Sequence, residues 1–329
     1  MYKGGTAMKG RFKSNFAQYM ESMIREKHNS GFSLKYMDKH LDEFDWFCRN
    51  NFPNMVSLDK ELVEAWVYHT ELKSIQEIQK RFRTMMHLGN YMLPLRGETY
   101  ITKNKLKRAK PKEPHIFTDA QLEEFFRICD GFKAVKYPPY RHLVTSVIFR
   151  LIYCCGLRNS EACNLKCSEI NLKDGTIKIY ESKGHKSRVV YMSADLTDLC
   201  RKYDSVMETK NPGREYFLPS SRAANYNNTS VCRLFDNILR KTSFFGKTSK
   251  KPTCHGLRHT FAVNSMRKCI EDGENFDIMI RYLSRYMGHS SPQNTMYYLH
   301  MVVTLVPEIR KMAKGYEDIL NGVAYVEEY

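Results

Sequence analysis

Apolar residues recur at helical spacing along almost the whole chain, and one stretch, "GTIKIYESKGHKSRVVYM" (175–192), alternates with a period of two instead. That contrast predicts a mainly α fold with a small β-hairpin or sheet. Phe16, Tyr19, Met20, Met23 and Ile24 share one helical face, as do Met37, Leu41, Phe44 and Cys48 after a cap at Ser33. A third helix opens near Ser57 and holds Leu62, Val63 and Trp66; a fourth holds Ile75, Ile78, Phe82 and Met86. Together they form an all-α unit over residues 1–100.

A chain of 329 residues fits two domains. The second is expected over 117–329, with a tail from about 304. Thr118 caps the helix "DAQLEEFFRIC". A buried helix over about 141–155 runs into "CCGLRNSEACNL", where Gly156 reads as a helix stop and a new helix starts at Asn159 or Ser160. The alternating stretch gives strands at 176–181 and 188–192 with Lys183 near the tip, and helices follow to the end.

The formal charge is +16, from 52 Lys and Arg against 36 Asp and Glu, which points to a polyanionic partner, with nucleic acid the leading candidate. The surplus is densest at 101–113, where six basic residues face one acidic residue. Within the linker expected over 101–116, Lys103, Lys105, Lys107, Arg108, Lys110 and Lys112 stand among prolines without apolar period. They suit either a solvated linker or a basic strap on a phosphate backbone. The opening "MYKGGTAMKGRFKSNF" lacks the apolar core of a signal peptide, and the longest apolar run, 142–157, is broken by Arg150 and too short for a bilayer. The ten cysteines form no Cys-x-x-Cys pair and read as free thiols of a reducing cytoplasm.

Chemistry concentrates at two arginines. Arg158 lies between a helix stop and a helix start, beside backbone N–H groups suited to an anion. Arg258 follows His255 by three residues and precedes His259, and all three share one helical face. Converging arginines suit a phosphoryl transition state, whose equatorial oxygens they neutralise.

"CGLRNSEACNL" and "HGLRHTFAVN" resemble the two arginine boxes of the tyrosine recombinase (phage integrase) family, and "YMGHSSPQNTMYYLH" is similar to its Gly-His box and nucleophilic tyrosine. The motifs occur in the family's order, with the hairpin lysine between the first two. The resemblance implies a helical core-binding domain, which binds DNA, followed by an α+β catalytic domain. It implies that Arg158 and Arg258 brace the scissile phosphate and that Lys183 protonates the leaving 5′ oxygen, with Lys186 the alternative lysine. His255 would be general base or proton relay, and His289 a hydrogen-bond donor to phosphate. Glu161 and His259 would orient the arginine and the helix. Family spacing selects Tyr298 over the adjacent Tyr297 as nucleophile.

Attack by that tyrosine would leave a 3′-phosphotyrosyl link and a free 5′ hydroxyl, so rejoining needs neither cofactor nor metal. The implied partner is double-stranded DNA, engaged as a homotetramer on two sites by a protein that is monomeric or weakly dimeric without DNA. The implied place is the cytoplasm, at the nucleoid, with no membrane association. Integration, excision or transposition of a mobile element is the expected role. Xer-like dimer resolution and a catalytically silent DNA-binding relative are the alternatives. The run "PQNTMYY" departs from the family's Thr-Thr pattern before the tyrosine. A metal hydrolase using His255 and His259 is the rival outside the family; Gly256 stands where a zincin would carry its glutamate, and no third ligand is evident.

Overall fold

In the computed structural model the described residues are 10–30, 35–69, 74–101, 113–136, 139–182, 186–220, 225–288 and positions 295, 298 and 301. The chain divides into two compact units, Met1–Lys110 and Pro111–Tyr329. The six basic residues from Lys103 to Lys112, together with Lys183, His289, Tyr297 and the tail, lie outside the described residues.

Unit 1 holds α1 (Ala17–Asn29), α2 (Lys35–Asn51), α3 (Lys60–Val67) and α4 (Ile75–Arg96). The expected apolar faces meet in one core, where Phe16, Met20 and Ile24 pack with Leu41, Phe44, Trp66 and Phe82. The third helix begins later than Ser57 suggested, because Asp59 is its cap: the carboxylate accepts the Leu62 N–H at 2.8 Å. Ser33 falls outside the described residues. Arg81 is buried in this unit, stacked 4.6 Å over the Trp66 ring and donating to Glu43 at 2.7 Å. Stacking and pairing let α4 carry a charge into an apolar interior.

Unit 2 opens with α5 (Asp119–Asp130), α6 (Arg141–Cys154) and α7 (Asn159–Asn164). Thr118 caps α5 in a reciprocal box, its hydroxyl accepting the Gln121 N–H while Gln121 Oε1 accepts the Thr118 N–H. The apolar α6 packs against α5 and against α8 (Ala194–Lys210) and α10 (Cys254–Glu271), which explains why Val144, Val147, Ile148, Phe149, Leu151 and Ile152 are all buried. Its Arg150 reaches back to Asp130 at 2.7 Å.

The alternating stretch forms β2 (Thr176–Ser182) and β3 (Lys186–Tyr191), so the second strand starts two residues before the expected 188. A third strand, β1 (Ile170–Asn171), was not foreseen and completes an antiparallel sheet in the order β1-β2-β3. Ile177 pairs with Val190 and Ile179 with Arg188, and the three aliphatic residues face the core.

The remaining described helices are α9 (Asn228–Leu239) and α11 (Phe276–Met287). Ala262, Val263 and Met266 of α10 pack with Ile280, Leu283 and Met287 of α11 and with Tyr298 and Met301. No helix among the described residues is long and apolar enough to cross a membrane. All ten cysteines are free thiols.

Candidate active site

The site forms where α6 ends. Gly156 adopts φ +60 and turns the chain so that Leu157 is buried and Arg158 becomes the N-cap of α7. The N–H groups expected to be open to an anion are partly taken: the Arg158 N–H donates to Glu161 Oε2 at 2.8 Å. The Arg158 guanidinium donates Nη1 to Glu161 Oε1 at 2.9 Å and Nη2 to the Gly288 carbonyl at 2.5 Å.

Arg258 reaches the same place from the second turn of α10, whose N-terminus is capped by Thr253. Its guanidinium donates to the carbonyls of Gly156 and of Met287, and Nη1 lies 4.0 Å from Glu161 Oε2. Burial pushes its pKa down to about 10, opposed by the charge of Glu161, so the group stays cationic at neutral pH. The two arginines predicted to converge therefore do so, around one carboxylate.

A third arginine, not singled out by sequence reasoning, joins them. Arg188 of β3 grips Glu161 with both terminal nitrogens, Nη1 to Oε1 at 2.8 Å and Nη2 to Oε2 at 2.7 Å. The signal was present in the alternation. Arg188 is in phase with buried Val190, and a charge on the inward side of a strand requires a buried partner. Burial alone would raise the Glu161 pKa, but hydrogen bonds and charge from Arg188, then the charges of Arg258 and Arg158, bring it down to about 2. Gly288 sits against this cluster, since a Cβ there would stand 3.0 Å from Arg188 Nη1 and 3.3 Å from Arg158 Nη1.

Beside Arg258 on α10, His259 is buried, as is Tyr298, and His259 Nδ1 is hydrogen-bonded to the Tyr298 hydroxyl at 3.0 Å. His259, expected only to hold the helix, is thus the imidazole in contact with the predicted nucleophile. His255 meets the His259 ring edge-on at 4.5 Å between centroids. Among the described residues no group of three or more His, Cys, Asp and Glu side chains is arranged to hold a metal.

Residues 116–303 match the model of the phage integrase family. A Sinorhizobium fredii protein named as an integrase/recombinase is 24% identical over 320 residues, covering 93% of this chain and 99% of its own length. Tyrosine recombinase XerC of Thermodesulfovibrio yellowstonii is 24% identical over 304 residues, 86% of this chain and 90% of the relative. Among solved structures, a lambda integrase dimer bound to a COC′ core site is similar in fold, with a TM-score of 0.60 at 15% identity over 90% of this chain and 81% of that one.

Proposed function

Because the chain belongs to the phage integrase family, the tyrosine recombinases that cut and rejoin DNA strands, we propose that it integrates, excises or transposes a mobile element through a 3′-phosphotyrosyl intermediate. The observation that carries this reading is the pairing of Tyr298 with His259 on the same helix that presents Arg258 to Glu161 and Arg158. Nucleophile, proton acceptor and phosphate-binding cations then converge on one place.

In the proposed step the Tyr298 oxygen attacks a DNA phosphorus in line, and the bond from that phosphorus to the 5′ oxygen of the next nucleotide breaks. The hydroxyl proton passes first to His259, with His255 behind it as base or relay; Lys183 protonates the leaving oxygen. Arg158 and Arg258, with His289, neutralise the non-bridging oxygens. Three guanidinium groups and one carboxylate leave a net charge of two positive units, matching the dianionic pentacoordinate transition state. Reversal by a 5′ hydroxyl rejoins the strand, and the phosphotyrosyl bond conserves the energy of the broken one.

The partner in this reading is duplex DNA, held by the helical unit, by the basic segment Lys103–Lys112 and by the catalytic unit. Two sites and four protomers assemble for exchange, at the nucleoid in the cytoplasm. Near full-length alignment with an integrase/recombinase favours the mobile-element role. Chromosome or plasmid dimer resolution is the second reading, favoured by the XerC relative that aligns over most of both chains.

The test uses nicked suicide duplexes from the DNA flanking the protein's own gene. The intact protein is expected to form a covalent adduct in the presence of chelator, and Tyr298→Phe to bind the same DNA without forming one. An adduct that persists in Tyr298→Phe, or that requires a metal, overturns the proposal.

A further inference from the structure

We infer that Arg188 is a positioning residue of the phosphate site: by holding both oxygens of Glu161 it sets where Arg158 and Arg258 point. The inference rests on the strand-transfer reading above. It starts from the sheet. Arg188 lies opposite buried Ile179 on β2 and two residues before buried Val190, so its side chain leaves the sheet on the core side. The side chain is 7% exposed, as is that of Glu161. A buried guanidinium is tolerated when paired, and the fork–fork pair with Glu161 is the geometry that favours arginine over lysine.

Among the described residues the charged groups facing Glu161 come from three elements: Arg158 at the start of α7, Arg188 on β3 and Arg258 on α10. The turn after α11 contributes backbone, with the Gly288 carbonyl on Arg158. With Arg188 in place each carboxylate oxygen already has a short donor from β3, and Arg258 remains 4.0 Å away. Without Arg188 the two oxygens would be left to Arg158, already 2.9 Å from Oε1, and would draw Arg258 inward, and N–H groups spent on Glu161 are lost to phosphate. Arg188 Nε is buried with no hydrogen-bond partner among the described residues, so the orientation of the fork follows Glu161 at the expense of its own third donor.

The titration of Glu161 supplies a readout that a merely structural role would not move. Arg188 contributes the leading favourable interaction that keeps Glu161 ionised against burial. Removing it shifts that titration upward, and the protonated acid no longer fixes Arg158.

The experiment compares the intact protein with Arg188→Met, Arg188→Lys and the double variant Arg188→Met/Glu161→Gln. Adduct formation on the nicked duplexes is followed from pH 5 to 9, with binding of the same duplexes by anisotropy and thermal melts as a folding control. Arg188→Met is expected to bind DNA nearly as the parent does but to form adduct roughly tenfold to a hundredfold more slowly. The deficit should deepen as the pH falls, Arg188→Lys should recover part of the rate, and Glu161→Gln in the Arg188→Met background should remove the acid limb. Parent-like rates in Arg188→Met at every pH, or a loss fully matched by lost DNA binding, overturn the inference.

If the parent itself forms no adduct, the strand-transfer reading is what fails. The hold on Glu161 is then read directly from the carbon-13 resonance of its carboxyl. Ionisation retained at pH 4 in the parent and lost at higher pH in Arg188→Met supports it, and identical titrations overturn it.

Discussion

Replacing Gly156 by alanine tests whether the turn at the end of α6 is what delivers Arg158 and Arg258 to one place. Gly156 stands at φ +60, a region that costs a residue with a Cβ about 1–2 kcal/mol. The added Cβ would also stand 2.5 and 2.6 Å from Cδ1 and Cε1 of Phe261, closer than carbon atoms approach. The Phe261 ring is stacked on Tyr286 at 5.8 Å, so it has little room to yield. Overpacking of this kind costs about 1–3 kcal/mol, for a sum of roughly 2–5 kcal/mol. In a unit of this size that lowers the melting midpoint by roughly 5–15 °C.

Both tryptophans, Trp46 and Trp66, belong to unit 1, so their fluorescence follows that unit while circular dichroism follows both. Gly156→Ala should therefore shift the dichroism transition and spare the fluorescence one. In a Phe261→Ala background the overlap disappears, and the same substitution should cost only the backbone part, about 1–2 kcal/mol. The Gly156 carbonyl is also an acceptor for Arg258, so adduct formation should fall even well below the melting range. A Gly156→Ala protein within about 1 kcal/mol of the parent, or an equal cost with and without Phe261, refutes this account of the turn.

Two further outcomes are expected. Glu161 titrates at about 2 in the folded protein against an ordinary 4.5, so its ionised form contributes stability that is complete above the ordinary range and is lost as the pH falls from about 4.5 to about 2. The contribution is about 3 kcal/mol, and urea unfolding at stepped pH should show that Glu161→Gln, although less stable at neutral pH, loses correspondingly less across this window. His259→Phe keeps an aromatic ring but removes the nitrogen on Tyr298, and should slow adduct formation about a hundredfold or more with DNA binding unchanged; an unaltered rate would leave His255 as the acting base.

The helical faces were legible because burial follows apolar period: Phe16, Met20, Ile24, Leu41 and Phe44 were read as core positions and lie in the core. Boundaries were legible where a cap was unambiguous, as at Thr118, and misplaced where two polar residues competed, as with Ser57 and Asp59. The strand Ile170–Asn171 was not legible, because two residues carry no alternation. At the site, the sequence expected Arg158 and Arg258 to converge, and both lie at Glu161. It could not reveal Arg188 as their neighbour, since pairing between β3 and α7 is a tertiary contact that no local pattern records. Nor could it distinguish which imidazole of α10 meets the tyrosine, because His255 and His259 lie on one face and only the packing of Tyr298 separates them.

The most direct measurement is mass-spectrometric mapping of the covalent DNA adduct after proteolysis and nuclease trimming. The account predicts a single modified residue, Tyr298, joined to a 3′ phosphate, with a free 5′ hydroxyl on the released strand. A linkage at Tyr297, at another residue or to a 5′ phosphate would contradict it.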